Sequence, residues 1–432
     1  MLDIVSYKPF VRNAYIIHIV YTVIIMTGSE NWKKNIAFFL AGQAVSLIGS
    51  SLVGFAIVWH VTLKTGSGTM LMVFTIAVML PMFFISPFGG VWADNFNRKK
   101  LIMLADAVIA AVTLVIAICY SLGIENLGFL FICSIARSFG QGVQMPAVNS
   151  LIPQVVPKEH LIRVNGINSM IMSVSMLGTP ALAGALLTFF PIQTILLVDV
   201  VTAAIAILIL LTLVSVPNPK DEAETLTLKQ MSVLDDLKSG LVYIRDHVFL
   251  KRFFFVVACF TFLLSPPALL TPLQVARNFG PDVWRLTVIE IAFSCGMLAG
   301  GLLMSTWGGF KNKTYTVGAS FILMAAMSVG LGITKNFIHY SIFMAVVGVT
   351  AATGNTPAIT ILQQKVDPLY MGRVLSVMTM ITSIVMPLGT VIFGPLSDRV
   401  SLDYIIICTG GLIAVLGLYL FTDKELLKAG QP

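Results

Sequence analysis

Polar side chains recur at helical spacing inside two apolar stretches of this sequence, where they are suited to bind a polar group. They are Gln43, Ser46, Ser50, Arg137, Gln141 and Gln144. Residues three, four or seven positions apart share one face of a helix. A charge such as Arg137, about ten residues from either end of its stretch, is costly there and indicates a function. We interpret the two faces as lining one substrate cavity, and hydrogen bonding between packed helices is the alternative.

Three carboxylates also lie inside apolar stretches, namely Asp106, Asp199 and Glu290. A low-dielectric environment favours the protonated form of a carboxyl group, so each is a candidate proton carrier. Asp106 follows the start of its stretch by about two helical turns, and we therefore expect it to be near enough to water to be solvated.

Other kinds of chemistry find no support in the sequence. A phosphate-binding G-x-x-x-x-G-K-[ST] motif does not occur, so ATP is not the direct energy source unless another subunit supplies it. The five cysteines lie in apolar stretches without a CxxC motif or a cysteine–histidine cluster, which indicates neither disulfides nor a metal site. We also find no catalytic triad, and we predict that the protein is not an enzyme and uses no cofactor.

The elements that position these residues are membrane-spanning helices. The chain is 57% hydrophobic and 11% charged, with a mean hydropathy of +0.92, whereas soluble chains carry about 25% charged residues. Apolar runs of roughly 20 residues recur, each long enough to cross a bilayer, and strand-like alternation is absent. We predict an all-α polytopic membrane protein with twelve transmembrane helices in two pseudo-symmetric six-helix bundles.

The predicted organisation has five parts. They are an N-terminal segment 1–35, a six-helix bundle 36–216, a linker 217–252, a second six-helix bundle 253–421 and a tail 422–432. Apolar residues at helical spacing predict an amphipathic helix within the linker. Residues 1–25 are interpreted as the product of an upstream start, with an interfacial segment as the alternative.

The distribution of basic residues predicts the orientation. Nineteen lysines and arginines flank the membrane on the side that holds both termini and the linker, and five lie on the other side. Positive charges concentrate on the cytoplasmic side of membrane proteins. We therefore predict an inner (cytoplasmic) membrane protein with both termini in the cytoplasm, and topology explains the bases better than nucleic-acid binding.

The two halves of the chain repeat each other after their fourth spans. Gln154, Val156, Arg163 and Val164 match Gln364, Val366, Arg373 and Val374 at a constant offset. Parallel repeats of six spans are one way to build a carrier whose site lies between the halves, although a channel or a structural duplication can also be repetitive.

The stretch GGVWADNFNRKK at 89–100 resembles the loop motif between the second and third helices of the major facilitator superfamily. The matching residues are Gly90, Asp94, Arg98 and Lys99. In that family the loop is a latch that holds the halves together on the cytoplasmic side. The resemblance thus implies that these are gating residues. The corresponding loop WGGFKNK at 307–313 has lost the carboxylate.

Two further stretches extend this resemblance. IARSFGQGVQMPA at 135–147 is similar to the family's fourth-helix motif, which contains an arginine. MLGTPALAG at 176–184 resembles the glycine–proline motif of its antiporters, with Gly178, Pro180 and Gly184 expected at a helix kink. The third and sixth helices of the family are usually peripheral. This implies structural roles for Asp106 and Asp199 and places Glu290 first for proton coupling.

NWKKNIAFFLAGQAVSLIGSS, RSFGQG and EIAFSCGMLAGGLL further resemble the macrolide-efflux branch of the twelve-span drug–proton antiporters. The resemblance implies export of amphipathic organic small molecules by alternating access, driven by the proton gradient. The expected environment is the lipid bilayer, with a monomeric chain and no nucleic-acid partner. The alternatives are a siderophore or metabolite exporter, a nutrient importer and, more remotely, a non-transporting scaffold or receptor.

Overall fold

The computed structural model describes residues 31–216, 233–367 and 370–431. The first half contains α1 (Asn31–Thr65), α2 (Gly68–Asn95), α3 (Arg98–Ser121), α4 (Leu127–Val155), α5 (Leu161–Phe189) and α6 (Ile192–Leu213). The remainder contains α7 (Val233–Asp246), α8 (Val248–Leu269), α9 (Thr271–Phe279), α10 (Val283–Trp307), α11 (Lys313–Ile333), α12 (Phe337–Lys365), α13 (Met371–Leu396), α14 (Leu402–Thr422) and α15 (Lys424–Ala429).

The helices confirm the predicted fold class. Eleven segments of the described chain are long and apolar enough to cross a membrane, with α8 and α9 together forming one of them. The twelfth predicted span is α4, which is as long as its neighbours but carries Arg137 and several amides. Arg137 and Gln144 bond to groups on neighbouring helices, because the bilayer offers them no hydrogen-bond partners.

The short connections between spans are closed by side-chain caps. The side chains of Asn97, Asn126, Asn312 and Asn336 each accept a backbone N–H from the first turn of the helix that follows. Such caps satisfy amide groups that have no partner within the helix. They fix tight turns, so consecutive spans run antiparallel.

Both halves use the same helix pairs. In the first half α1 packs against α5 and α6, α2 against α4, and α3 against α4 and α6. In the second half α8 packs against α13 and α14, α10 against α12, and α11 against α12 and α14. These pairs correspond when α8 is matched with α1, so the sequence repeat reflects a structural repeat.

The ends of the helices form two faces of the molecule. The basic face carries the loops before α3, α5, α11 and α13, together with α7 and α15. The opposite face carries the loops before α2, α4, α6, α10, α12 and α14. The halves meet mainly through α2 with α13 and α5 with α10, which are corresponding pairs under the repeat.

The predicted linker and tail both pack against the second half. Residues 217–232 and residues 1–30 lie outside the described part of the chain. Within the linker, α7 places the ring of Tyr243 on that of Tyr370, with centroids 4.4 Å apart. Helix α8 begins at Val248, and Nη1 of Arg252 in its first turns lies 2.7 Å from Oδ2 of Asp423, just before α15.

Close contact between α2 and α4 depends on one of the two adjacent glycines. A Cβ on Gly89 would lie 2.5 Å from the carbonyl oxygen of Gly142, whereas a Cβ on Gly90 would meet nothing within 4 Å. We expect Gly89→Ala to destabilise the protein by about 1–3 kcal/mol through overpacking. Gly90→Ala is the matched control and should leave the thermal unfolding midpoint in detergent unchanged or slightly raised. Equal midpoints for the two variants would contradict this packing.

Candidate functional site

The buried centre of the first half is an ion pair between α4 and α6. Nη1 of Arg137 contacts Oδ2 of Asp199 and also donates to Oγ1 of Thr113 at 2.9 Å. Nη2 donates to the backbone carbonyl of Ser50 at 2.9 Å, and the Ser50 hydroxyl donates to Oδ1 of Asp199 at 3.0 Å. Arg137 is 4% exposed and Asp199 1%, so each charge has its partner inside the protein, as burial of an ion requires.

A second carboxylate lies in the same bundle but has neutral partners. Oδ1 of Asp106 accepts from the Ser46 hydroxyl at 3.0 Å and from Nε2 of Gln144 at 2.7 Å. Oδ2 is buried without a hydrogen-bond partner. The expectation that Asp106 is solvated is wrong, because α1 and α4 cover it and leave it 2% exposed.

The structure therefore brings the predicted cavity residues Ser46 and Ser50 into contact with the predicted proton carriers Asp106 and Asp199, which the sequence analysis treated as separate groups. Ser46 and Ser50 contact the carboxylates of α3 and α6 inside the first half, rather than standing on an open cavity wall. Gln43 is buried with its Nε2 unpaired, and Gln141 is half-buried. Substrate contact by these residues stays a prediction, but their positions make a polar core that can hold charge or exchange a proton.

Glu290 has a different environment. It lies on α10 near the contact with α5, where the hydroxyl of Ser294 donates to the carbonyl of Leu177 at 3.4 Å. It is half-buried, and in the described part of the chain no hydrogen bond or ion pair involves it. Its role in proton coupling stays a prediction.

Asp398 holds the two halves together at the opposite face, which no sequence pattern indicated. Its carboxylate accepts hydrogen bonds from the N-terminus of α2: from the Ser67 hydroxyl at 2.8 Å, Gly68 N at 2.7 Å, and Thr69 N and Oγ1 at 2.9 and 2.7 Å. Nη2 of Arg277 lies 2.7 Å from the same carboxylate. We call these five residues the opposite-face latch.

The latch carboxylate is stabilised in its charged form. Partial burial acts to raise the pKa of Asp398, but the bonds from the Thr69 side chain and backbone, from Gly68 N and from the Ser67 hydroxyl outweigh it and hold the pKa well below its usual range. The positive end of the α2 dipole favours the same form. Arg277 also donates to the carbonyls of Gly66, at 2.8 Å, and Ser397, at 2.6 Å.

Close backbone packing seals the same face. A Cβ on Gly394 of α13 would lie 2.7 Å from the carbonyl oxygen of Gly68. A Cβ on Gly184 of α5 would collide with the side chain of Thr287 on α10. Both helix pairs that join the halves are thus tightly packed near this face.

Toward the basic face, an open cleft of about 460 Å³ lies between Phe83 of α2 and one face of α13. Its lining residues are Phe83, Leu375, Ser376, Thr379, Met380 and Ser383. The hydroxyl-bearing residues of α13 are exposed and spaced three and four positions apart. Because these three residues also line the cleft, we interpret the stripe as part of its wall. Sequence reasoning missed it, although its spacing was visible.

Comparison with known proteins identifies the family of this chain. Residues 39–390 match the family described as Major Facilitator Superfamily. The chain belongs to this superfamily. It is 29% identical over 405 residues to macrolide efflux protein A of Streptococcus pyogenes, covering 93% of this chain and 99% of the relative. It is 24% identical over 409 residues to the multidrug efflux pump Tap of Mycobacterium tuberculosis, covering 90% and 94%.

A solved structure confirms the superfamily fold. A bacterial homologue of the human lysosomal transporter Spinster, in an inward-facing and unoccupied conformation, superposes with a TM-score of 0.69. The two chains are 13% identical, and the match covers 94% of this chain and all of the other. At this identity the likeness concerns the fold alone.

The superfamily loop motif lies between α2 and α3. Nε of Arg98 donates to the carbonyl of Ala93 at 3.0 Å and its Nη1 to Oε1 of Gln154 at 3.1 Å. Nζ of Lys99 donates to the carbonyl of Val214, after α6, at 2.8 Å. These bonds tie α3 to α4 and α6. The side chain of Asp94 lies outside the described part, so its gating role, like that of Gly90, stays a prediction.

The glycine–proline motif of this superfamily member lies within α5. The helix runs through Pro180 without interruption. Gly184 makes the close contact with Thr287 on α10, while Gly178 has open space around its Cβ position. The motif therefore contributes packing between the halves at Gly184, and a kink stays a prediction. No group of three potential metal ligands occurs among the residues that the structure describes.

Proposed function

We propose that this protein exports amphipathic, macrolide-like compounds across the cytoplasmic membrane by alternating access. The observation that carries the proposal is the asymmetry of the interface between halves. The opposite-face latch and the glycine contacts close one end, while a cleft is present toward the other. Such asymmetry is what a carrier needs to expose its site to one side at a time.

The direction and the ligand class follow from two further observations. With the basic face in the cytoplasm, the cleft opens inward, which is where an exporter loads its substrate. The cleft combines the apolar side chains of Phe83, Leu375 and Met380 with the hydroxyl groups of α13. Mostly apolar walls with a few polar groups suit an amphipathic organic molecule. The relatives that handle macrolides or several drugs support the same class.

We propose the proton gradient as the energy source, with no cofactor and a monomeric transporter embedded in lipid. The buried carboxylates support this part, because a carboxyl group in a low-dielectric site can bind and release a proton during the cycle. Arg137 and Asp199 would keep the polar core of the first half in place.

Accumulation of a radiolabelled macrolide tests the proposal. Cells that express the protein should hold less label than cells without it, and a protonophore should abolish the difference. Phe83→Ala combined with Ser383→Ala should weaken export by altering the cleft, whereas Glu125→Gln should not, because Glu125 lies in an exposed loop at the opposite face. Unchanged accumulation, with the protein detected in the membrane, would reject macrolides and direct the assay to siderophores or nutrients.

A further inference from the structure

We propose that Asp106 is the residue that carries the coupling proton, rather than Glu290, which sequence reasoning placed first. The inference rests on the proposed proton-driven export and deepens it. It assigns the proton to one carboxyl group, buried between α1, α3 and α4.

Two buried carboxylates of the first half differ in charge compensation. In the same bundle Asp199 has the guanidinium of Arg137 in contact with its Oδ2. Arg137 also donates hydrogen bonds to the hydroxyl of Thr113 and to the backbone carbonyl of Ser50. Asp106, by contrast, has neutral partners on both neighbouring helices, and no ion pair involves it among the described residues. A buried carboxylate without a cation is unfavourable, and binding a proton removes that charge.

In the part of the chain that the structure describes, the groups around Asp106 include no cation that bonds to it. Its partners are Ser46 of α1 and Gln144 of α4, both neutral, and Gln43 lies one turn before Ser46 on the same face of α1. The charged groups of α4 and α6 are Arg137 and Asp199, which pair with each other and leave no free cation for Asp106 on these two helices. On α3 itself the bases lie at its start, eight to six residues before Asp106 and roughly two turns away. Arg98 and Lys99 bond to Gln154 and to the end of α6.

Two buried polar atoms, one on α3 and one on α1, are unpaired. Oδ2 of Asp106 and Nε2 of Gln43 are both buried without a hydrogen-bond partner. Such atoms are rare in folded proteins and call for an explanation. In the neutral acid the proton sits on Oδ2, and Oδ1 accepts from Ser46 and Gln144. After the proton leaves, Oδ2 becomes an acceptor, and Gln43, one turn before Ser46 on the same face of α1, is the donor suited to it.

Helix α1 links Asp106 to the interface between halves. It carries Ser46, which donates to Asp106, and it extends to the opposite face. There Trp59 packs in one apolar cluster with Leu270 and Leu273 of the second half. A change of hydrogen bonding at Asp106 therefore acts on a helix that contacts both halves.

The proton balance of the step is simple. When α1 or α4 separates from α3 in the inward-open state and admits water, the O–H bond of Asp106 breaks, the proton passes to that water on the basic side, and the carboxylate keeps the electron pair. Asp106 is about 12 Å from the start of α3 along the helix axis. After closure of that side, a proton from the opposite side restores the neutral acid, so each cycle moves one proton inward through this group.

Infrared difference spectroscopy tests the assignment without a substrate. The purified full-length protein in lipid vesicles should show a carbonyl band of a protonated carboxylic acid that titrates with pH. Asp106→Asn should remove that band, and Asp106→Glu should restore a shifted one. Asp403→Asn is the matched control and should keep it, because Asp403 is compensated by Lys335 at 2.9 Å. Thermal unfolding identifies any variant that fails to fold. If Asp106→Asn fails to fold, the shifted band of Asp106→Glu tests the assignment instead.

Transport in the same vesicles gives a second readout. Asp106→Asn should lose macrolide accumulation driven by a pH gradient yet retain exchange of labelled for unlabelled macrolide at equal pH. A band that persists in Asp106→Asn and disappears in Glu290→Gln would overturn the inference. If the unsubstituted protein moves no macrolide, the proposed substrate fails, while the infrared result still decides the role of Asp106.

Discussion

Replacing Arg137 with leucine is expected to destabilise the protein by about 3–5 kcal/mol, the cost typical of removing one partner of a buried ion pair. The substitution leaves Asp199 inside the first half with its negative charge uncompensated. Asp199→Leu should cost a similar amount, because the guanidinium then lacks its carboxylate. Thermal unfolding of the purified variants in detergent measures both effects.

The double variant Arg137→Leu/Asp199→Leu distinguishes pairing from packing. No unpaired charge remains in it, and replacing a buried pair by apolar residues is often neutral for stability. We expect it to regain most of the stability that either single variant loses, but not transport. Strictly additive losses would contradict the pairing, since independent sites add and coupled sites do not.

Replacing Asp398 with alanine is expected to open the opposite face. Five hydrogen bonds converge on this carboxylate, and four of them cross between the halves. Charge-assisted bonds are strong, but the Arg277–Asp398 pair is about one-third exposed and solvent screens it. We therefore expect a shift of about 2 kcal/mol, or roughly thirty-fold in the ratio of closed to open molecules.

Spin-label distances across the opposite face measure this shift. Labels on cysteines placed at Ile124 and Tyr404, both exposed, report the separation of the halves in a background without the native cysteines. Glu125→Ala is the control, because its ion pair with Lys64 lies within the first half. A closed distance that survives Asp398→Ala would contradict the latch.

The same labels test the pH dependence of the latch. The bonds from Thr69, Gly68 and Ser67 hold the pKa of Asp398 below its usual range. A carboxylate with a lowered pKa contributes stability above the ordinary carboxyl range and loses it only when the pH falls through the lowered value. The effect of Asp398→Ala on the closed distance should therefore be the same at about pH 5 and pH 8.

Local rules explain why some site residues could be predicted. Arg137 was identified because a charge in mid-membrane is costly wherever its helix packs, and Gly184 because small residues allow close helix contact. The stripe Ser376, Thr379 and Ser383 was equally visible by its spacing. It was missed because hydroxyl groups can bond to their own helix and so carry a weak signal.

Lateral packing explains the error at Asp106. Asp106 was judged solvated from its distance along the helix, but its exposure depends on Ser46 and Gln144, which come from other helices. The ion pair of Arg252 also depends on tertiary packing, because its partner Asp423 follows 171 residues later.

The sequence by itself determined the membrane-embedded helical fold, its two-fold repeat and the family. The physical reason is that a bilayer forces each span to satisfy its own backbone hydrogen bonds, so apolar length alone predicts a helix. The tertiary structure alone decided which carboxylate has a cation and which does not, and how the opposite face is closed. Both depend on contacts such as Arg137–Asp199 and Asp398–Thr69, which join residues distant in the chain and follow no periodic pattern.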